Sequence, residues 1–143
     1  MTWQELATTS HYQTAVAVKQ ALLVGHPEEA ALGIEELIEA LSRSDQRALR
    51  SQLIRLMEHI LKWKTQPERR SQSWTATIEN ARVEIEELVE LEPSLKPSVP
   101  KLLPELFDKA RRLAEKEMNK RTTLGELSWQ EVFEDEYSLE KNK

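Results

Sequence analysis

Three glycines in 143 residues give this chain almost no means of turning hairpin after hairpin, because tight β-turns draw on glycine for their positive-φ positions. Glu, Leu, Ala, Lys, Arg and Gln dominate instead, most of them residues that lose little freedom in a helix. An all-α protein follows. The length suits one domain, which buries roughly 68–70% of the surface its unfolded chain exposes, so a packed core needs no staple. Without cysteine there is no disulfide scaffold, thiolate metal site or thiol nucleophile. Apolar runs are short, mean hydropathy is -0.60 and the first residues lack the charged-then-apolar order of a signal peptide. Neither a membrane span nor secretion is expected, and a cytoplasmic location is.

Periodicity and punctuation divide the chain into about five helices and a short C-terminal one. Thr2-Trp3-Gln4-Glu5 has the form of a capping box and opens a helix reaching Val24, interrupted near Thr8–Ser10 and ended by Gly25. Pro27 starts a second helix, with Ala30, Ile34, Leu37 and Leu41 on one face, that stops near Ser42. Ser44 and Asp45 cap a third, in which Leu49, Leu53, Leu56, Ile60 and Trp63 keep the same four–three spacing until Pro67. Trp74, Ile78, Ala81, Ile85 and Leu88 line a fourth that Pro93 closes. Val99, Leu103, Leu106, Ala110 and Leu113 line a fifth, and Ser128-Trp129-Gln130-Glu131 repeats the capping-box pattern before a short last helix. Such seams suit a single-domain helical bundle whose successive helices pack near-antiparallel at small crossing angles. The domain is expected over 1–133, with 134–143 a frayed tail.

Charge is unevenly laid out. Residues 1–42 carry six acids and one base, whereas residues 43–82 carry nine bases and four acids. A basic third helix and turn thus lies between an acidic second helix and an acidic fourth, and pairing between them is the plain expectation. At least one of Glu35, Glu36 and Glu39 should pair with a base of this middle segment, Arg82 or Arg69 foremost. Any base kept for an anionic partner should lie where a turn interrupts pairing, which singles out Lys62, Lys64, Arg69, Arg70 and Arg82, near Trp63 and Trp74. The two indoles, each at the end of a seam, are expected to pack toward one another.

Motifs for chemistry are sparse. His59 is the one histidine inside a strong helical period, on the flank of the apolar seam with Arg55 one turn behind. An imidazole beside a guanidinium can cleave RNA by acid–base chemistry, but the Arg-x(4–6)-His spacing of helical nucleases needs more than the three residues between Arg55 and His59. Glu36 with Glu39, and Glu105 with Asp108, stand one turn apart as magnesium-bridging carboxylates do, yet the two pairs are too distant in sequence for the all-α pyrophosphohydrolases that use them. Glycine-rich phosphate loops, nucleophile elbows and metal-binding Glu-x-x-His are absent, so no metal and no cofactor is expected.

The run His59-Ile60-Leu61-Lys62-Trp63, followed by Gln66-Pro67, Arg69 and Ser73-Trp74, together with Glu35, Glu36, Glu39, Ile78 and Arg82, resembles the family known as domain of unknown function twenty-nine. The resemblance spans about residues 12–120. It implies an almost wholly helical bacterial protein, frequent in cyanobacteria, with no assigned activity. Behind Tyr12 the family's usual aspartate and tryptophan have no counterparts, and Leu127-Ser128-Trp129 replaces its usual ending. The functional expectation is a non-catalytic protein-interaction module, working as a homodimer or with a helical protein partner and away from membranes. The alternative is a nucleic-acid-binding or RNA-cleaving protein using His59 and the Lys62–Arg82 bases.

Overall fold

The computed structural model describes residues 1–139, whose regular structure is entirely helical, with no strand among them. The expected all-α class is what forms. Five α-helices follow in order: α1 (Trp3–Thr9), α2 (His11–Leu23), α3 (Pro27–Thr65), α4 (Gln72–Leu91) and α5 (Ser98–Met118). Single 3-10 turns at Pro67–Arg69 and Pro93–Leu95 make the corners, and Gln130–Glu134 forms a π-helical turn. The chain divides into two compact units, Met1–Arg47 and Ala48–Lys143.

The first unit holds α1, α2 and the first turns of α3. The capping box closes as the sequence predicts, with Thr2 Oγ1 accepting the Glu5 amide at 3.1 Å and Glu5 Oε1 accepting the Thr2 amide at 3.2 Å. Extended Ser10 ends α1 and caps α2, which is the interruption expected at Thr8–Ser10. Gly25 terminates the segment at φ 81°, a conformation that glycine reaches without steric cost. What packs inside is small: Ala7, Thr14, Val18, Ala30, Gly33 and Ala40. A Cβ on Gly33 would sit 2.7 Å from both Trp3 Cζ3 and Val18 Cγ2, so only hydrogen there lets α1 and α2 approach α3 this closely. The Trp3 indole is held by its Nε1, which donates to Glu29 Oε2 at 3.0 Å.

Two expectations for this region are corrected. The second and third helices are one, because no glycine or proline stands between Ile34 and Gln66 and a Ser44 cap would discard several backbone hydrogen bonds to satisfy one. The buried seam is Ala30, Gly33 and Ala40, with Leu37 half-buried, while Ile34 and Leu41 face solvent. Spacing alone cannot tell which of two adjacent apolar stripes turns inward. Close approach of the neighbours selects the stripe with the smaller residues.

The second unit has an ordinary core. Leu49, Leu53, Leu56, Met57, Ile60 and Leu61 of α3 are fully buried against Ile78, Ala81 and Ile85 of α4 and Val99, Leu102, Leu103, Leu106, Phe107, Ala110 and Ala114 of α5. Each large side chain so buried contributes about 1.5–3 kcal/mol. The predicted seams of the third and fourth helices hold. In α5 Leu113 is exposed and Ala114 takes its place, because the buried face there widens to include Leu102 and Phe107. Arg50 pairs with Glu105 and Lys62 with Glu117, both 55 residues apart, so α3 and α5 run parallel. The short corner at 66–71 reverses the chain between them, giving an up-down-up arrangement consistent with antiparallel successive helices.

After α5, left-handed Asn119 turns the chain back along the unit. Leu127 and Val132 join the core, and Ser128 and Glu131 form the second capping box, with amide-to-side-chain bonds of 2.9 and 3.1 Å. Of the segment expected to fray, Tyr137 is half-buried and donates its hydroxyl to the Glu131 carbonyl at 2.7 Å. Residues 140–143 lie outside the described residues.

Candidate functional site

Several of the residues singled out by sequence, His59, Lys62, Trp63, Gln66 and Trp74 among them, lie where the last turns of α3 meet the start of α4 and the end of α5. Lys62 lies at the centre. Its side chain is only 9% exposed, and its ammonium bonds the Glu117 carboxylate of α5 while lying 3.9 Å from Glu58, one turn back on its own helix. The same ammonium stands 5.4 Å from the centre of the Trp74 ring, whose π-face favours a cation. One lysine thus ties three helices together, its aliphatic stem buried and its charge compensated.

The carboxylates around it are perturbed in opposite directions. Burial, reinforced by the charge of Glu117, holds the Glu58 carboxyl above its ordinary range. The hydrogen bond from Lys62 holds Glu117 below it. Glu58 therefore takes up a proton more readily than Glu117, the carboxylate that receives the Lys62 ammonium. His59 lies beside this group. Its Nδ1 is 2.9 Å from the Arg55 carbonyl, an acceptor, which assigns the ring proton to Nδ1. Burial lowers its pKa, keeping the imidazole neutral. His59 lines none of four surface cavities whose walls come from other residues, and no group of three or more metal-ligating side chains is present among the described residues. A neutral imidazole bound to its own helix, and lining none of these cavities, has the surroundings of a structural residue.

Three of the four other candidate bases are engaged by the second unit itself. Arg70 stacks on Trp63 at 4.6 Å and its Nε donates to the Trp63 carbonyl at 2.9 Å. Trp63, 6% exposed, meets Tyr137 edge-on at 5.9 Å. Arg82 lies 5.4 Å from the Tyr137 ring centre, and its Nε donates to the Val132 carbonyl at 2.9 Å. Lys64 bonds Glu131 at 2.8 Å. A cation thus flanks each end of the Trp63–Tyr137 ring pair, Arg70 on one side and Arg82 on the other, fastening the 131–137 segment to the helices. Arg69 is exposed and pairs with no described residue.

Glu39 reaches only Arg43, 3.8 Å away on the same helix, while Glu35 is exposed and Glu36 half-buried. The expected pairing with a base of the middle segment is thus made by Arg43, while Arg82, one of the two bases foremost in that expectation, bonds backbone carbonyls instead. The two indoles do not meet: Trp63 packs on Tyr137, and Trp74 receives Lys62. Gln66 is buried at the corner and Pro67 opens the 3-10 turn, as their positions suggest, while Ser71 caps α4 by accepting the Trp74 amide. Sequence reasoning missed Glu58, Glu117 and Tyr137. The i,i+4 spacing of Glu58 and Lys62 was a usable signal. Nothing local marks Glu117 or Tyr137, whose roles depend on how the chain returns.

The sequence matches the domain of unknown function DUF29 over residues 17–141, and the chain belongs to that family. The match takes in α3, α4, α5 and the C-terminal turn, all the elements that build the lysine-centred junction. No curated protein and no solved structure matches the chain.

Proposed function

We propose that this protein is a non-catalytic interaction module that docks an amphipathic helix of a partner protein on its first unit. One observation carries the proposal: apart from Val18, that unit fully buries only alanine, glycine and threonine, and it exposes most of its large apolar side chains. Ile34, Ile38 and Leu41 recur along α3 at i, i+4 and i+7, with Ile38 58% exposed, and Tyr12, Val16 and Leu23 recur along α2. An apolar stripe at this spacing is what a partner helix recognises in helix-on-helix docking. Glu35 and Glu39 beside the α3 stripe favour a partner with basic flanks over a second copy, which would set like charges against each other.

The engagement of Lys62, Lys64, Arg70 and Arg82 within the second unit weighs against the nucleic-acid alternative. The test uses two synthetic helical peptides with the same leucine stripe, one flanked by lysine and one by glutamate, with sedimentation of the protein alone as control. Binding of the lysine peptide only, abolished in Ile38→Asp/Leu41→Asp with the helical spectrum intact, supports the reading. Equal binding of both peptides sinks it, and a stable dimer that Ile38→Asp dissociates assigns the stripe to a second copy instead.

A further inference from the structure

The acidic first unit contains one place without acid. Met1–Arg47 holds seven acidic and three basic residues, and two of those three bases, Arg43 and Arg47, line a single cleft of about 410 Å³. Its remaining walls are Thr8, Thr9, His11, Ala40 and Ser44, so no carboxylate faces the space. Arg43 and Arg47 stand one helical turn apart on α3, both exposed, and the only acid either meets is Glu39, 3.8 Å from Arg43 and itself exposed. Arg47 pairs with no described residue. Internal pairing, which accounts for the bases at the end of α3, gives Arg43 one exposed partner at 3.8 Å and Arg47 none among the described residues.

We propose that this cleft binds a phosphate group, as the phosphomonoester of a small molecule. Two guanidiniums one turn apart present several N–H donors toward one point, the arrangement that matches the three oxygens of a phosphomonoester. Ser44 adds a hydroxyl from the same face of α3, and the His11 ring adds an N–H from the opposite wall. The Thr8 and Thr9 hydroxyls donate to the carbonyls of Gln4 and Glu5, which fixes the end of α1 as a rigid wall and not as a donor set. Phosphate alone would fill a small part of 410 Å³, so the cleft has room for the body of an ester. The ligand class follows from chemistry: a carboxylate offers two oxygens and one charge, whereas the phosphomonoester uses both arginines at once.

The inference is independent of the helix-docking proposal, because none of its residues belongs to the exposed apolar stripes. Its test is titration of the full-length protein with adenosine 5′-monophosphate, inorganic phosphate, adenosine, and chloride at matched ionic strength, followed by amide chemical shifts of Thr8–His11 and Arg43–Arg47. The two phosphates should shift those amides, while adenosine and chloride should not. Arg43→Ala and Arg47→Ala should each weaken binding by about tenfold or more, the effect of losing one charged hydrogen bond. Arg47→Glu should abolish it, with the helical spectrum of every variant unchanged because both side chains are exposed. Tighter binding of the monophosphate than of inorganic phosphate assigns the rest of the cleft to the ester's body, and equal binding assigns the site to free phosphate. Shifts that chloride reproduces, or that survive in Arg43→Ala/Arg47→Ala, overturn the proposal.

Discussion

The two units are built on opposite plans. In the second, nearly every large apolar residue of α3 is inside: Leu49, Leu53, Leu56, Met57, Ile60 and Leu61 are fully buried, and the charges around them are compensated within the unit. In the first, the same helix buries Ala30, Gly33 and Ala40 and exposes Leu32, Ile34, Ile38 and Leu41. Dropping a leucine or isoleucine from the core in favour of alanine forgoes about 2–5 kcal/mol, so a unit built this way has a small stability of its own. The difference separates stability from recognition. One stretch of a 39-residue helix contributes the core and the other presents apolar surface, and the composition of the buried seam decides which.

The sharpest way to break that comparison is to truncate equivalent residues on the same helix. Leu53→Ala, at a fully buried position, should lower the unfolding free energy by about 2–5 kcal/mol in urea titrations. Ile38→Ala, removing a comparable side chain from an exposed position, should change it by no more than about 0.5 kcal/mol. Comparable losses from both would mean that the α3 stripe is covered in the isolated protein and is not a docking surface.

A smaller effect of unusual sign tests the close packing of the first unit. Alanine replacing glycine in a helix ordinarily stabilises it, by about 0.8–1 kcal/mol. At Gly33 the added methyl would meet Trp3 and Val18 at 2.7 Å, distances that real Cβ atoms do not adopt. Gly33→Ala should therefore destabilise, by about 1–3 kcal/mol as overpacking does, and the change should appear in Trp3 fluorescence before the second unit responds. A stabilised variant would show that α1 and α2 can retreat from α3 at little cost.

How much of this was legible beforehand depended on whether the signal was local. Caps and breakers were: Thr2 with Glu5, the break at Ser10, Gly25, Pro67, Pro93 and the second capping box at Ser128 all act within a few residues, and each stands where the sequence puts it. The false break at Ser44 came from the same logic, since a capping side chain permits a helix start without requiring one. Apolar spacing placed the seam of α3 correctly from Leu49 onward, where only one stripe is rich in leucine, and failed at Ile34 and Leu41, where two apolar stripes lie side by side. Charge layout was least informative about partners. It gave the sign of each segment but could not foresee that Lys62 would find Glu117, or that Arg70 and Arg82 would bond main-chain carbonyls, because those meetings depend on the return of α5 and of the segment after it.

The smallest effect concerns the lysine-centred junction, and its value lies in opposing signs within one cluster. Glu58 has its carboxyl pKa raised in the folded protein, so the fold binds a proton there more readily than the unfolded chain does. Ionised Glu58 is therefore a cost to folding above its folded pKa, relieved as pH falls through that value toward the ordinary 4.5. Glu117 has its pKa lowered, so its contribution is present above 4.5 and is lost as pH falls through its folded value. Glutamine mimics the protonated acid at both sites. At neutral pH Glu58→Gln should leave stability unchanged or raise it, by up to about 1 kcal/mol, and the gain should vanish near pH 4.5 where wild-type Glu58 is itself protonated. Glu117→Gln should lower stability at neutral pH by no more than about 1 kcal/mol, since this carboxylate is largely exposed and solvent screens it, and that loss should fade only at more acidic pH. Denaturant titrations of both variants and wild type at several pH values between neutrality and 3 would measure the two trends. Equal losses from both substitutions at neutral pH, fading together as pH falls through the ordinary carboxyl range, would mean that Glu58 is ionised in the fold and that Lys62 is held by two charges.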